Sequence, residues 1–192
     1  MLTDRPEPQL LEVRDRAELR AWLEANHATS SGVRLAIGKK GNIVTRLNYD
    51  DAVEEGLAFG WIDSTTRRLD GDRMTVLFVP RKPGSTWAGT NKARIERLTA
   101  QGLMTPAGLA AVEGAKADGS WSAFDDVEAL VVPADLAAAL AAAPGAALAF
   151  AGRSASQRKL ALYWIATAKR EETRSKRIFE VVSAAAEGRP LR

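Results

Sequence analysis

Residues 50–91 constrain the fold more than any other stretch, because their hydrophobic pattern changes within a short distance. The apolar residues after Asn48 recur at helical spacing up to Gly60, which predicts a helix with an asparagine N-cap and a glycine at its end. After Gly60 the helical period is lost, residues 61–68 form two alternating sets, and residues 74–79 are mainly apolar or β-branched. This second pattern predicts two β-strands and excludes a purely helical fold.

A hairpin turn is predicted between the two strands. Residues 69–72 contain an Asp-Gly pair, which favours tight turns between antiparallel strands. Pro80 and Pro83 end the second strand, and a further helix is predicted to begin near Asn91. The stretch therefore predicts the order helix, hairpin, helix. We expect any small-molecule site of this chain to lie there.

Helical signals dominate most of the remaining sequence. Asp15 is predicted to cap a first helix, and Ser154 with Gln157 forms the capping-box pattern of a late helix. Residues 33–37 are β-prone, and residues 43–47 are predicted to pair back as a further strand.

These elements predict an α+β fold in which a small antiparallel sheet packs with helices and precedes a C-terminal helical subdomain. Residues 120–132 show no clear period, which indicates a packed linker, and an alanine-rich helix is predicted from Pro133. We therefore predict an α+β domain over residues 1–120 and a helical module over residues 121–192.

The composition excludes several classes of site. The 192 residues include no cysteine, so disulfides, thiolate metal sites and thiol nucleophiles are excluded. His27 is the single histidine, which removes multi-histidine metal sites and disfavours a catalytic triad. We predict no metal and no cofactor. The N-terminal segment has no apolar core of signal-peptide length, and no apolar run could span a bilayer, so a cytoplasmic location without a membrane span is expected.

Four segments together carry a resemblance to a known family. In chain order they are FGWIDS, FVPRKPGSTWAGTN, GLMTPAGL and WIATAKREETRSKRI. They closely resemble the bacterial YdeI/OmpD-associated family, also called bacteriocin-protection, and the resemblance runs over nearly the whole chain. It implies a role in resistance to envelope stress or antimicrobial peptides, with the C-terminal helices as a recurring module. It implies no reaction, cofactor or catalytic residues.

The candidate ligand site consists of five side chains from the central stretch: Trp61, Asp63, Arg81, Trp87 and Asn91. The tryptophans could stack on a flat ligand, and the turn after Arg81 leads into a helix N-terminus that attracts anions. Core packing of the tryptophans and ordinary ion pairing of Asp63 are the favoured structural alternatives. If the site exists, we expect the five side chains to converge on one concave surface.

Three functions remain open from the sequence. The first is a non-enzymatic stress or antimicrobial-peptide protection protein that binds a small or peptidic ligand at a cleft between residues 59 and 91. The second is an enzyme that uses Asp63 as a base while Arg81 and Asn91 polarise a substrate. Because no second catalytic group is evident, the non-enzymatic function is preferred.

The third function is weak binding of nucleic acid or another polyanion through the basic C-terminal helices. Residues 153–192 carry 10 Lys and Arg against 4 acidic residues, whereas residues 1–152 carry 17 against 20. Arg170, Arg174 and Arg177 follow i, i+4, i+7 spacing and are predicted to form one basic stripe. A solvated helix face, or a contact of this stripe with the acidic remainder, is favoured over a nucleic-acid role.

Overall fold

The structure is a computed structural model that describes residues 8–191, and these residues form two compact units that divide between Trp121 and Ser122. The N-terminal unit contains four strands and four helices among its described residues. In chain order they are β1 (Leu10–Leu11), α1 (Arg16–Asn26), β2 (Val33–Gly38), α2 (Tyr49–Ala58), β3 (Trp61–Arg68), β4 (Arg73–Pro80), α3 (Gly89–Ala100) and α4 (Pro106–Ala117). The predicted α+β class is confirmed.

The sheet has the strand order β1-β2-β4-β3. Strand β4 pairs antiparallel with both β2 and β3, as predicted for the hairpin. The two-residue β1 pairs parallel with β2, an edge pairing that the predicted antiparallel sheet did not include. A strand of two residues is too short to produce a periodic pattern, and for this reason the sequence did not indicate it.

The predicted strand over residues 43–47 is also wrong, since this segment is a loop. The Asn42 side-chain oxygen accepts hydrogen bonds from the amides of Val44 and Thr45, at 3.1 and 3.0 Å. The Thr45 hydroxyl in turn donates to the Val13 carbonyl at 2.8 Å. Side chains thereby satisfy backbone groups that a sheet ladder would otherwise need, which favours a loop over a strand.

Helix α2 packs closely on the sheet and ends as predicted. The Asn48 side chain accepts the Asp51 amide at 2.9 Å, and Gly60 adopts the left-handed conformation with φ of 75°. A Cβ atom on Gly56 would lie 2.9 Å from the Phe78 ring, so glycine is needed where the helix crosses β4. The same helix carries Glu55, which is 2% exposed and bound to two arginines of α1, Arg16 and Arg20.

The C-terminal unit is helical in its described part. It contains α5 (Asp125–Glu128), α6 (Ala134–Ala142), α7 (Ala146–Ala151), α8 (Ala155–Ala166) and α9 (Glu171–Ala186). The predicted capping box of Ser154 and Gln157 is confirmed at the start of α8. The short helix α5 lies within the segment expected to be a linker. Within residues 8–191 no helix combines the length and apolarity that crossing a lipid bilayer requires.

Candidate functional site

A groove of about 380 Å³ lies on the N-terminal unit between residues 81–87 and helix α4. We call it the Arg81 groove. One wall comes from the loop after β4, which contributes Arg81 and Trp87, and the other comes from α4 and the turn after it, which contribute Gly114 and Asp118. A volume near 380 Å³ falls at the lower end of the range that small-molecule sites occupy.

Arg81 is the partly buried cation of the groove, whereas Lys82, which also lines it, is exposed. Its guanidinium carbon lies 3.5 Å from the centre of the Trp87 ring, and Nη1 donates to the Thr86 carbonyl at 3.1 Å. The Nε atom is buried and has no hydrogen-bond partner within the described part of the chain. Burial lowers the pKa of Arg81 to about 10, an effect that the nearby Asp63 carboxylate partly opposes. The group therefore stays charged at neutral pH but is poorly solvated.

Trp87 forms the aromatic wall against which Arg81 is held. The indole is only 2% exposed, and its ring centre lies 5.1 Å from that of Trp121. Two lysine ammonium groups also approach Trp121, with Lys92 Nζ at 5.2 Å and Lys116 Nζ at 5.9 Å from its ring centre. Cations over aromatic faces are attracted by the ring quadrupole, so this part of the unit gathers positive charge around two tryptophans.

The loop that carries Arg81 is connected to the end of α4 by a carboxylate. Gly84 has a φ of 74°, and its amide donates to Asp118 Oδ2 at 2.9 Å. Asp118 Oδ1 accepts the Ser120 amide, also at 2.9 Å. The Ser120 side chain, its amide and the Gly84 amide together hold the pKa of Asp118 below its ordinary value. Asp118 is therefore ionised at neutral pH.

The floor of the groove is built from small residues of α4. They are Ala110, Ala111, Gly114 and Ala115. A Cβ atom on Gly114 would meet no atom within 4 Å, so the space beside this residue is open. Small side chains at this position of α4 leave room that larger ones would fill.

The structure brings together two of the five predicted ligand residues, Arg81 and Trp87, which both line the groove. Trp61 lies elsewhere, 1% exposed in the core of the N-terminal unit. Its indole Nε1 donates to the His27 carbonyl at 3.3 Å, and its ring meets Trp22 edge to face at 6.0 Å. This placement matches the core-packing alternative, and so does the burial of Trp87, which belongs to the same core.

Asp63 and Asn91 also lie outside the groove lining. Asp63 Oδ2 accepts a hydrogen bond from the Tyr49 hydroxyl at 2.5 Å. Burial and this contact with Asp63 raise the pKa of Tyr49 to about 12. Asn91 Oδ1 accepts from Arg94 Nη1 at 3.2 Å. Asp63 thus acts on the groove only through its charge, which lies close enough to affect Arg81.

The three arginines of the predicted basic stripe differ in their surroundings. Arg174 donates two hydrogen bonds to the Asp135 carboxylate, at 2.6 and 3.0 Å. Arg177 donates to the Trp164 carbonyl and, at 3.0 Å, to the Thr167 hydroxyl. Arg170 precedes α9 as its exposed N-cap residue. The partners of Arg174 and Arg177 lie in their own unit. The alternative of an interdomain contact predicts acidic partners in the N-terminal domain instead.

Sequence reasoning missed the α4 wall of the groove. Gly114 gave the available signal, because a glycine inside a helix costs about 1 kcal/mol relative to alanine and needs a reason. Asp118 follows the helix end and gave no signal, since acidic residues are common near turns.

Two family models match the chain. The model described as Domain of unknown function (DUF8412) matches residues 11–111, and the model described as Bacteriocin-protection, YdeI or OmpD-Associated matches residues 129–188. No curated protein and no solved structure matches significantly. The resemblance to the YdeI/OmpD-associated family is thus confirmed over the C-terminal helices, while a separate model covers the sheet and the first wall of the groove. The chain belongs to the family described as Domain of unknown function (DUF8412).

Proposed function

We propose that the N-terminal unit is a non-enzymatic binding module that takes a small or peptidic molecule with an anionic group in the Arg81 groove. The observation that carries this proposal is a charged, poorly solvated guanidinium with a buried and unpaired Nε, held at the side of an open groove. A buried donor without an acceptor costs about 1–3 kcal/mol. A ligand carboxylate or phosphate reached by a small shift of the guanidinium would recover part of this free energy.

The surroundings of Arg81 favour an anion over a neutral ligand. Arg81 makes no ion pair with another residue of the described chain, so its charge is not already neutralised by a carboxylate within 4 Å. The Trp87 ring fixes the plane of the guanidinium, and planar, fixed guanidinium groups bind carboxylate and phosphate with high directionality. The apolar floor on α4 would contact the remainder of the ligand.

The enzymatic alternative has less support from the geometry. Its proposed base, Asp63, lies outside the groove lining and is engaged by the Tyr49 hydroxyl. A general base must reach the proton that it removes. Together with the description of the C-terminal family, this favours a protective binding role in which the ligand is held and not converted.

The first experiment measures binding of benzoate and of inorganic phosphate by tryptophan fluorescence and by indole NMR signals. We expect at least one of these anions to bind the intact protein with a Kd in the millimolar range, as is usual for very small ligands. Arg81→Gln should weaken binding by at least about tenfold, because hydrogen bonds to charged groups contribute about 1.5–3 kcal/mol.

Two further variants make the result specific to the groove. Gly114→Leu fills the open space beside α4 and should reduce binding without removing a charge. Arg68→Gln removes an exposed arginine of β3 and should leave binding unchanged. Equal anion affinity in the intact protein and Arg81→Gln, or no binding of either anion, would contradict the proposed function.

A further inference from the structure

The Arg81 groove is lined by charges of both signs. Two of them, Arg81 and Asp118, are held in place by neighbouring groups, whereas Lys82 is an exposed further cation. Arg81 stands on the loop wall and Asp118 on the α4 wall, and both line the same groove. The two side chains do not form an ion pair with each other, and within residues 8–191 neither is within 4 Å of another oppositely charged side chain. A groove with two separate, opposite charges is complementary to a ligand with two opposite charges.

Asp118 has capacity for a ligand cation beyond its present contacts. A carboxylate has about four acceptor sites on its two oxygens, and backbone amides of Gly84 and Ser120 occupy one site on each. Ser120 is 8% exposed, and its hydroxyl lies close enough to lower the pKa of Asp118 although it makes no hydrogen bond of standard geometry. Asp118 is exposed and lines the groove, so its remaining acceptor sites are available to a ligand ammonium.

The size of the groove limits the ligand. A water molecule takes about 30 Å³ of liquid volume, so about 380 Å³ holds roughly a dozen water molecules. A ligand with a comparable number of non-hydrogen atoms would fill the same space. This suits a free amino acid or a dipeptide. The alanine and glycine floor would accept an apolar side chain of that ligand.

We infer that the Arg81 groove binds the zwitterionic backbone of a free amino acid or a dipeptide, with the carboxylate at Arg81 and the ammonium at Asp118. This inference rests on the proposed function, because it assigns Arg81 the anionic end of the ligand. It adds Asp118 as the residue that distinguishes a zwitterion from a simple anion.

The test uses the intact protein and compares parent ligands with blocked forms. The probes are the free L-amino acids that occur in proteins and the dipeptides Gly-Leu, Gly-Phe and Gly-Ala. The N-acetyl and C-amide forms of the strongest binder are then compared with it. In the intact protein each blocked form should bind at least about tenfold more weakly than the parent, the effect of one charged hydrogen bond. Indole NMR signals report each affinity.

Two variants assign each end of the ligand to its residue. In Asp118→Asn, the N-acetyl form and the parent should bind equally, because the ammonium has lost its partner. In Arg81→Gln, the C-amide form and the parent should bind equally. Since Asp118 also holds Gly84, benzoate affinity serves as the control for the position of the loop. It should not fall in Asp118→Asn, because benzoate has no ammonium group and the variant removes only a nearby negative charge.

Each negative outcome has a separate meaning. If the N-acetyl form binds the intact protein as tightly as the parent, or if benzoate binds while no amino acid or dipeptide does, the zwitterion inference is wrong and the anion site stands. If neither benzoate nor phosphate binds, the proposed function fails, and the inference that rests on it fails with it. If benzoate affinity drops in Asp118→Asn as far as parent affinity does, Asp118 only positions the loop and the inference is wrong.

Discussion

The buried guanidinium of Arg81 destabilises the folded state, and in the proposed function the same group binds the ligand. Burial disfavours its charged form, which lowers its pKa to about 10, and its Nε has no acceptor among the described residues. Functional sites commonly contain such groups, because a residue arranged for a ligand is not fully satisfied without it. The stacking on Trp87 holds the side chain in place despite this cost.

This view predicts that one substitution strongly weakens binding and hardly changes stability. Arg81→Met removes the charge and keeps a long apolar side chain that can pack on Trp87. We expect the free energy of unfolding to change by less than about 1 kcal/mol, since the loss of the cation–aromatic contact is offset by the end of the desolvation penalty. Benzoate binding should fall by at least about tenfold. Chemical denaturation and ligand titration measure the two effects.

A purely structural arginine would give a different pattern. If Arg81→Met lowers the free energy of unfolding by about 2 kcal/mol or more and leaves anion affinity unchanged, Arg81 stabilises the loop and has no ligand. The Arg68→Gln variant provides the baseline, because that side chain is exposed on β3.

At the scale of elements, α4 is positioned by its contact with the end of α2. The Ala58 carbonyl accepts hydrogen bonds from the Thr105 amide at 3.1 Å and from its hydroxyl at 2.7 Å. A Cβ atom on Gly108 would lie 2.2 Å from that same carbonyl oxygen. The close approach of the two helices therefore depends on a glycine, and this approach sets the far wall of the groove.

Two glycines of α4 should respond oppositely to the same substitution. Gly108→Ala forces the helices apart, and we expect it to lower the free energy of unfolding by about 1–3 kcal/mol or more. The methyl group added in Gly114→Ala meets no atom within 4 Å. This variant should therefore raise the free energy of unfolding by up to about 1 kcal/mol through the higher helix propensity of alanine. Thermal and urea denaturation of both variants check this. Equal changes in the free energy of unfolding would show that helix propensity alone determines the effect of both substitutions.

Local signals account for the elements that were predicted well. Asn48 caps α2, Gly60 ends it, and the Asp-Gly turn directly follows β3, so each signal lies next to the element that it controls. The loop over residues 43–47 and strand β1 depend on partners from other segments, such as Val13, which no local pattern encodes.

The same distinction explains the incomplete prediction of the site. Arg81 and Trp87 are close in sequence, and their turn and helix start could be recognised together. Asp118 reaches Gly84 across 34 positions of sequence, through the packing of α4. Trp61 gave the same aromatic signal as Trp87, and both side chains are buried in the same core. Trp87 differs only in its place, since its ring also borders the groove and lies against Arg81.

At the scale of the whole molecule, the charge asymmetry depends on where the chain is divided. Divided at Ser122, the C-terminal unit has 10 basic and 8 acidic residues, and the N-terminal unit has 17 and 16. Four acidic residues between Ser122 and Arg153 account for the change. Two of them pair with the basic helices, since Glu128 binds Lys159 and Asp135 binds Arg174. The C-terminal unit therefore neutralises much of its own positive charge.

The polyanion hypothesis is consequently limited to the cations that remain available. Lys169, Arg170 and Lys176 are exposed and make no ion pair within residues 8–191. If this surface binds a polyanion, about three phosphates are neutralised. The logarithm of the binding constant for a DNA duplex should then fall with the logarithm of salt concentration with a slope of about −3, because each phosphate contributes about −0.9. Fluorescence anisotropy over a salt series measures this slope.

Variants separate the binding cations from the structural ones. Arg170→Ala and Lys176→Ala should each reduce the slope by about one, since each removes one phosphate contact. Arg174→Ala should leave the slope unchanged and lower the melting temperature, because Arg174 joins α9 to the Asp135 carboxylate at the start of α6. A slope steeper than about −4 in the intact protein would mean that the DNA draws Arg174 and Arg177 away from their present partners. Absence of binding at low salt would make the polyanion hypothesis wrong, and the basic stripe would then serve the packing of its own helices.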